Sequence, residues 1–235
     1  MAMNRASFAK MLEPGLNTLF GLEYDSYPAE YEAVFESNTS QKAFEEDVLL
    51  AGFGSAPTKN EGASVSYDDA GQQWTARYQH ETVALAFSIT EEAEEDGQYG
   101  SIASRYTKAL ARSMASTKEI KAANVLNNAT SVNIGDGTTL LSTSHPTQNG
   151  NQSNTLATAA DLSETSLEAI LIQIADMKDE RGLRIAAQGT QLVIPTAYTF
   201  VAERLLESQL RTGTADNDIN AIKSGGYLPK GYHVM

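Results

Sequence analysis

Trp74-Thr75-Ala76-Arg77-Tyr78-Gln79 and Thr82-Val83-Ala84-Leu85-Ala86-Phe87-Ser88-Ile89 lead into a helical stretch from Ser101 to Asn128. In the first two segments, Trp74, Ala76 and Tyr78, then Val83, Leu85, Phe87 and Ile89, alternate with their neighbours. A period of two marks half-buried β-structure. From Ser101 the period lengthens. Ile102, Tyr106, Leu110, Ser113, Thr117, Ile120 and Asn124 recur at spacings of three and four, which predicts one helix. At 1.5 Å per residue it is about 42 Å long, close to the roughly 45 Å width of a compact globule of this chain length. Such geometry suits a flat, extended building block better than a compact enzyme.

Composition narrows the class. The 235 residues are 41% hydrophobic, enough for one large domain or two small ones with a real core. No run of 18 apolar residues occurs, so no membrane-spanning segment is expected. Near the start, Lys10 and Glu13 interrupt Phe8, Met11 and Leu12; this is no signal peptide, and the expectation is a cytosolic chain in its producing cell. With no cysteine there are no disulfides, no thiol catalysis and none of the commonest structural zinc sites. The formal charge of −13 argues against sequence-reading of nucleic acid, which needs clustered Lys and Arg. Part of the acidic excess is local, at Glu45-Glu46-Asp47 and across Glu91-Glu92-Ala93-Glu94-Glu95-Asp96, and reads as a solvated surface.

Outward from the deciding stretch, residues 1–40 carry scattered apolar anchors (Phe8, Met11, Leu12, Leu16, Leu19, Phe20, Leu22) interrupted at Pro14-Gly15 and Gly21. They predict an arm with one or two short helices. Residues 41–89 predict a long β-hairpin with its tip near 57–62, where Pro57, Asn60 and Gly62 fall. Two-stranded ribbons are marginal in water, so this one should rest on another surface such as a neighbouring subunit. Thr90 is a candidate cap for a short acidic turn. Downstream, Asp161 and Glu164 suggest a capping box for a helix with Leu167, Ile170, Leu171, Ile174 and Met177 inward, closed by Gly182. Leu192-Val193-Ile194 reads as a short buried strand ended by Pro195, followed by a helix from Thr196 with Tyr198, Val201, Ala202 and Leu205 on one face. Gly225-Gly226 is a turn before a final strand.

No catalytic constellation emerges. His80, His145 and His233 lie far apart, and none has a second ligand at metal-binding spacing. His145 with a serine and an aspartate would make a hydrolase triad, but no Gly-x-Ser-x-Gly elbow accompanies it; His145-Pro146 reads as a loop contact. Gly135-Asp136-Gly137-Thr138-Thr139 lacks the lysine and preceding strand of a phosphate loop and reads as a turn. Asn38-Thr39-Ser40 and Asn128-Ala129-Thr130 fit the glycosylation pattern by chance. The expectation is no enzyme, with no catalytic residue, cofactor or metal.

The order of parts resembles the major capsid proteins of tailed bacteriophages, the Hong Kong 97-type fold. The resemblance covers essentially the whole chain. It rests on that order and on Thr139-Leu140-Leu141-Ser142-Thr143-Ser144-His145-Pro146 followed by Gly150, Ser153-Asn154 and Leu162-Ser163, on Gly182 followed by Leu192-Val193-Ile194-Pro195, and on Gly226-Tyr227-Leu228-Pro229-Lys230-Gly231. It implies an α+β capsid fold with an N-terminal arm (1–40), an extended β-hairpin loop (41–89), a peripheral domain with the spine helix (90–135) and an axial domain (136–235). Relatives continue past a segment like 227–235, so the axial domain is expected to be incomplete at its C-terminal end. The chain also starts directly with the arm, which implies a separate scaffolding protein or none. Some relatives crosslink a loop lysine to a neighbour's asparagine; Lys59 sits near the loop tip where such a donor would stand, but no partner asparagine or assisting glutamate is identifiable, and it reads as a solvated lysine at a turn.

The expected function is a structural subunit of an icosahedral phage head, self-assembling into hexamers and pentamers that enclose double-stranded DNA. Its partners would be itself, a portal and a scaffolding protein, with only non-specific proximity to DNA along an acidic inner surface and no membrane. Its place would be the virion capsid, assembled in the host cytoplasm. Subunit contacts are expected at Phe8, Phe20, Lys59, Trp74, Tyr78, Tyr106 and Leu110. An encapsulin-like nanocompartment is the alternative within the fold. A small soluble hydrolase or carbohydrate-binding module is the alternative outside it.

Overall fold

The computed structural model describes residues 6–88, 99–211 and 218–235, with side chains from residue 15 in the first helix and 102 in the second. The chain forms two compact units, one from residues 1–39 with 80–126 and one from 40–79 with 127–235. The Thr90 cap and the acidic run at 91–96 lie outside the described residues.

In the first unit, α1 spans Ala6–Asp25 as one helix of 20 residues. It runs unbroken through Pro14-Gly15, where one or two short helices were expected. An interior proline removes one N–H and costs about 3 kcal/mol; the Ala, Leu, Met and Glu residues on both sides favour helix and carry it through. Beyond Asp25 the chain turns with Tyr27 N–H donating to Tyr24 O at 3.3 Å. It then makes a 3-10 turn over Glu30–Ala33. The long helix, α2, spans Tyr99–Asn127, 29 residues or about 43 Å. The Glu119 carboxylate on α2 accepts from the N–H groups of Glu30 and Tyr31 at 2.9 and 3.0 Å, capping the 3-10 turn.

The buried stripe of α2 is Ala103, Thr107 and Ala111, one residue round from the Ile102–Tyr106–Leu110 stripe. Tyr106 is 55% exposed and Ile120 is exposed as well. Small side chains let packed elements approach closely, so the tight face is the one that hydropathy undervalues. Thr107 hides its hydroxyl on Ala103 O at 2.8 Å.

Residues 83–88, expected as a strand, form none. Glu81 pairs with Lys121, and the Phe87 ring lies 5.9 Å from that of Tyr106. From 121 back to 106 the helix falls about 22 Å; from 81 to 87 a fully extended chain reaches about 20 Å. The segment therefore runs nearly straight along α2, antiparallel to it. The alternation is real, but a strand also needs a partner, and no described residue supplies one.

In the second unit, β1 (Phe44–Ala51) and β2 (Gly71–Gln79) pair antiparallel, Phe44 against Gln79 and Val48 against Thr75, with an irregularity between Val48 and Leu50. The excursion from 52 to 70 turns at Glu61-Gly62, where Gly62 has φ +78°. β3 (His145–Thr147) and β4 (Gly150–Gln152) form a tight hairpin.

Next, α3 spans Glu164–Ala175. Its cap is Ser163, which exchanges bonds with Ser166; Asp161 and Glu164 do not form the expected box. Asp161 contributes only its carbonyl, to the Ser166 hydroxyl at 2.8 Å. Gly182 does not close this helix. It sits at φ +88° in a turn where the Asp179 carboxylate accepts from Arg181 N and Leu183 N at 2.9 and 2.8 Å. β5 (Leu192–Ile194) pairs parallel with β6 (Tyr232–Val234).

Pro195 ends β5, and a 3-10 turn at Thr196–Tyr198 precedes α4 (Thr199–Glu207). Asn220 caps α5 (Ala221–Gly225), and Gly226, left-handed at φ +61°, ends it. Leu167, Leu206 and Ile222 form the core, with Ile170, Leu171, Leu192, Leu228 and Tyr232 around them. Within the buried face of α4 are Ala202 and Leu206.

Candidate functional site

The side chains expected at subunit contacts distribute over both units. Phe8 lies on α1 where side chains are outside the described residues. In the first unit Phe20 is half-buried and stacks on Tyr24 at 5.8 Å, Leu110 is half-buried, and exposed Tyr106 carries Phe87 on its ring. In the second, Lys59 is exposed beside the Glu61-Gly62 turn, and Tyr78 stands exposed on β2. Trp74 is half-buried over Gly135, packed so closely that a Cβ there would lie 2.5 Å from the ring.

A larger apolar display surrounds these positions. On and beyond the hairpin, Leu50, Phe53, Val65 and Tyr67 are exposed, Tyr67 to 94%. Phe200 on α4 is 73% exposed, and Ile219 and Tyr227 flank α5 in the open. Exposed apolar side chains in such number mark surfaces built for protein contact. Val65 and Tyr67 alternate with polar neighbours in the sequence, a pattern of hairpin strand, but they lie outside both strands. Phe200 carried no such signal, because it falls one position outside the apolar stripe of its helix.

The hairpin excursion is anchored within its own unit. Asp68 accepts from Gly54 N at 2.8 Å and pairs with Arg181, which also donates to Gln148 Oε1 at 2.8 Å. Backbone donation from Gly54, then the Arg181 guanidinium, holds the Asp68 carboxyl below its ordinary value.

Around His145 the chemistry is half of a triad. His145 Nδ1 lies 2.6 Å from Asp136 Oδ2, and the Thr138 hydroxyl is 3.0 Å from the carboxylate. Burial would raise the Asp136 carboxyl, but bonds from His145 and Thr138 outweigh it and hold it low. A working triad also needs a nucleophile on the other ring nitrogen. His145 Nε2 is buried without a partner, and the adjacent Ser144 Oγ accepts instead from Asn151 at 2.8 Å. Asp136 also accepts from Thr138 N at 2.9 Å, while Gly137 takes φ +84°; Gly135-Asp136-Gly137 is a turn pinned by its own carboxylate. Among the described residues no group of three or more side chains is arranged to hold a metal, and no helix is long and apolar enough to cross a membrane.

Solved phage shells share this architecture. The procapsid of bacteriophage JBD30 computed in I4 symmetry superposes with a TM-score of 0.67 at 14% identity, covering 97% of this chain and 98% of that chain. The bacteriophage JBD30 capsid gives 0.65 at 13%, covering 83% and 88%. The JBD30 capsid decorated with minor capsid protein trimers gives 0.58 at 12%, covering 92% and 95%. The fold is thus the α+β fold of a phage shell subunit. The phage capsid protein family model matches residues 72–233, more than half of the sequence, and the chain belongs to that family. It is a structural protein of the virion, as the resemblance to tailed-phage major capsid proteins implied. No curated protein matches it.

Proposed function

We propose that this chain tiles an icosahedral phage head of the Hong Kong 97 type, as hexamers and pentamers enclosing double-stranded DNA, without catalysis. In this reading residues 1–40 are the arm, 41–89 the extended loop, 90–135 the peripheral domain with its spine helix, and 136–235 the axial domain. One observation carries it: the excursion between β1 and β2 presents Phe53, Val65 and Tyr67 to solvent, and a two-stranded ribbon has no core of its own to receive them. A neighbouring copy receives them. Each contact is modest, and closure multiplies many of them into a stable shell. Phe8, Phe20, Lys59, Trp74, Tyr78, Tyr106 and Leu110 contribute further contacts. The partners are other copies, a portal, a separate scaffolding protein and, by likeness to the decorated JBD30 shell, a minor capsid protein. Assembly takes place in the host cytoplasm.

Light scattering and negative-stain microscopy on the purified chain test this. Uniform hollow particles, or rings that convert to them, are expected. The double variant Val65→Ser/Tyr67→Ser, altered only at exposed positions, should remain folded and stall before closure. A stable monomer across a wide concentration range would overturn the reading. Lys59 is assigned a covalent role only if purified shells resist separation into monomers on a denaturing gel.

A further inference from the structure

The net charge of −13 conceals a segregation. α2 carries Arg105, Lys108, Arg112, Lys118 and Lys121 against a single acid, Glu119, so five of the chain's 17 basic residues lie on one helix. Lys108, Arg112 and Ser116 follow at i, i+4 and i+8 and therefore share one face. There the helix borders an open cleft of about 430 Å³ lined by Tyr27, Lys108, Ala109, Arg112, Ser113 and Ser116. Among the described residues no carboxylate lines this cleft. Lys108 reaches Glu23 at its edge, 3.3 Å away, and the half-buried Glu23 carboxylate also accepts from the Tyr27 hydroxyl at 3.4 Å. Arg112 makes no ion pair among the described residues. It also borders the adjoining cleft, where Lys118 adds a second cation among the acidic residues Asp25, Glu30, Glu32 and Glu119, the last of which accepts from the Glu30 and Tyr31 N–H groups.

We infer that the Tyr27–Lys108–Arg112–Ser113–Ser116 cleft binds a phosphate group, supplied by the backbone of the enclosed DNA. A guanidinium, an ammonium and two serine hydroxyls line it. That set matches the several oxygens of a phosphodiester better than the two of a carboxylate. The cleft is open to solvent, as a site for one phosphate of a continuous strand must be. Lys108 and Arg112 stand about 6 Å apart along the helix axis, and Arg105 continues the basic stripe two turns earlier. The inference rests on the proposed function only in taking enclosed DNA as the phosphate source. It replaces a uniformly acidic lining with one that holds DNA at a defined basic track.

The test is fluorescence anisotropy of a labelled short duplex titrated with the full chain over a salt series. Binding should weaken with salt, and Arg112→Gln should lower affinity about tenfold and reduce the magnitude of the log–log salt slope by about one. Arg112→Lys should recover the slope. Arg204→Gln, an exposed cation of the other unit, should change neither. Ser113→Asp and Ser116→Asp, both at exposed positions, place a like charge in the cleft and should abolish the Arg112-dependent part. They keep the test decisive if Arg112→Gln fails to fold. Equal slopes for wild type and Arg112→Gln would overturn the inference. So would inorganic phosphate binding at Arg112 with no competition from duplex, which makes the site one for a free anion. Loss of particles in Arg112→Gln with duplex binding unchanged would also overturn it, assigning the cleft to a carboxylate of a neighbouring copy. Particle formation by the wild type is scored separately, so failure here leaves the shell reading standing.

Discussion

Gly135→Ala should strike the hairpin through the chain's single tryptophan. A Cβ at 135 would lie 2.5 Å from Trp74 Cε3, 2.6 Å from Cζ3 and 3.0 Å from Ala76 Cβ, against ordinary contacts of 3.4–4 Å. The indole must therefore retreat by about 1 Å, which forfeits much of its dispersion contact with the turn. Overpacking of this kind costs about 1–3 kcal/mol. Trp74 is half-buried and yields partly toward solvent, which places the loss near 2 kcal/mol, or about 4–8 °C in Tm for a unit of this size. The assay is a thermal melt followed by circular dichroism, with the tryptophan emission maximum recorded alongside; it should shift red as the ring is exposed. In a Trp74→Leu background the same substitution should cost less than about 0.5 kcal/mol, leaving a coupling energy above about 1 kcal/mol. An unchanged Tm together with unchanged emission in Gly135→Ala would refute the packing of this turn against β2.

Three further outcomes are expected. Leu167→Ala, in the centre of the core with Leu206 and Ile222, should cost about 3 kcal/mol by urea denaturation. Asn220→Asp should cost about 2 kcal/mol by the same measurement. It keeps the acceptor for Ile222 N and Lys223 N but loses the donor to Leu205 O and Ser208 O, leaving a buried charge facing two carbonyls. The Asp136 carboxyl is held below its ordinary 3.8 in the folded chain, so its stabilisation is complete above that pH and drains as pH falls through the lower folded value. Asp136→Asn should therefore flatten the stability–pH curve below about pH 4, read by urea midpoints in an acid series; a curve as steep as wild type would refute the role given to the His145–Asp136 pair.

Long-period features were the most legible. The helix expected over 101–128 spans Tyr99–Asn127, and the Leu192-Val193-Ile194 strand ends at Pro195 as its missing N–H requires. What escaped was decided by contacts far along the chain. Residues 83–88 have the alternation of a strand but no ladder. The sequence periodicity of α2 left its buried face unassigned; that face is made by the small Ala103, Thr107 and Ala111, with Tyr106 and Ile120 exposed. Ser163 displaced Asp161 as a cap because Ser166 stood three residues on to complete the exchange. His145 attracted attention as a chemical group, but only the structure placed Asp136 beside it and left Nε2 without a nucleophile. The basic cleft was invisible because the charge was read as a total, while its sign varies by element.

The two units are interleaved along the chain: 40–79 belongs with 127–235, and 80–126 belongs with 1–39. A ribosome delivers residues in order at about 5–20 per second. Once β1 and β2 have emerged, Trp74 waits about 3–12 s for Gly135, and Asp68 waits about 6–23 s for Arg181, 113 residues later. Throughout that interval the hairpin offers two bare edges and its apolar tip, while other copies on the same messenger emerge in the same state. Nascent chains thus meet one another through unfinished second units, and the rate of translation bears directly on how many are lost to premature pairing.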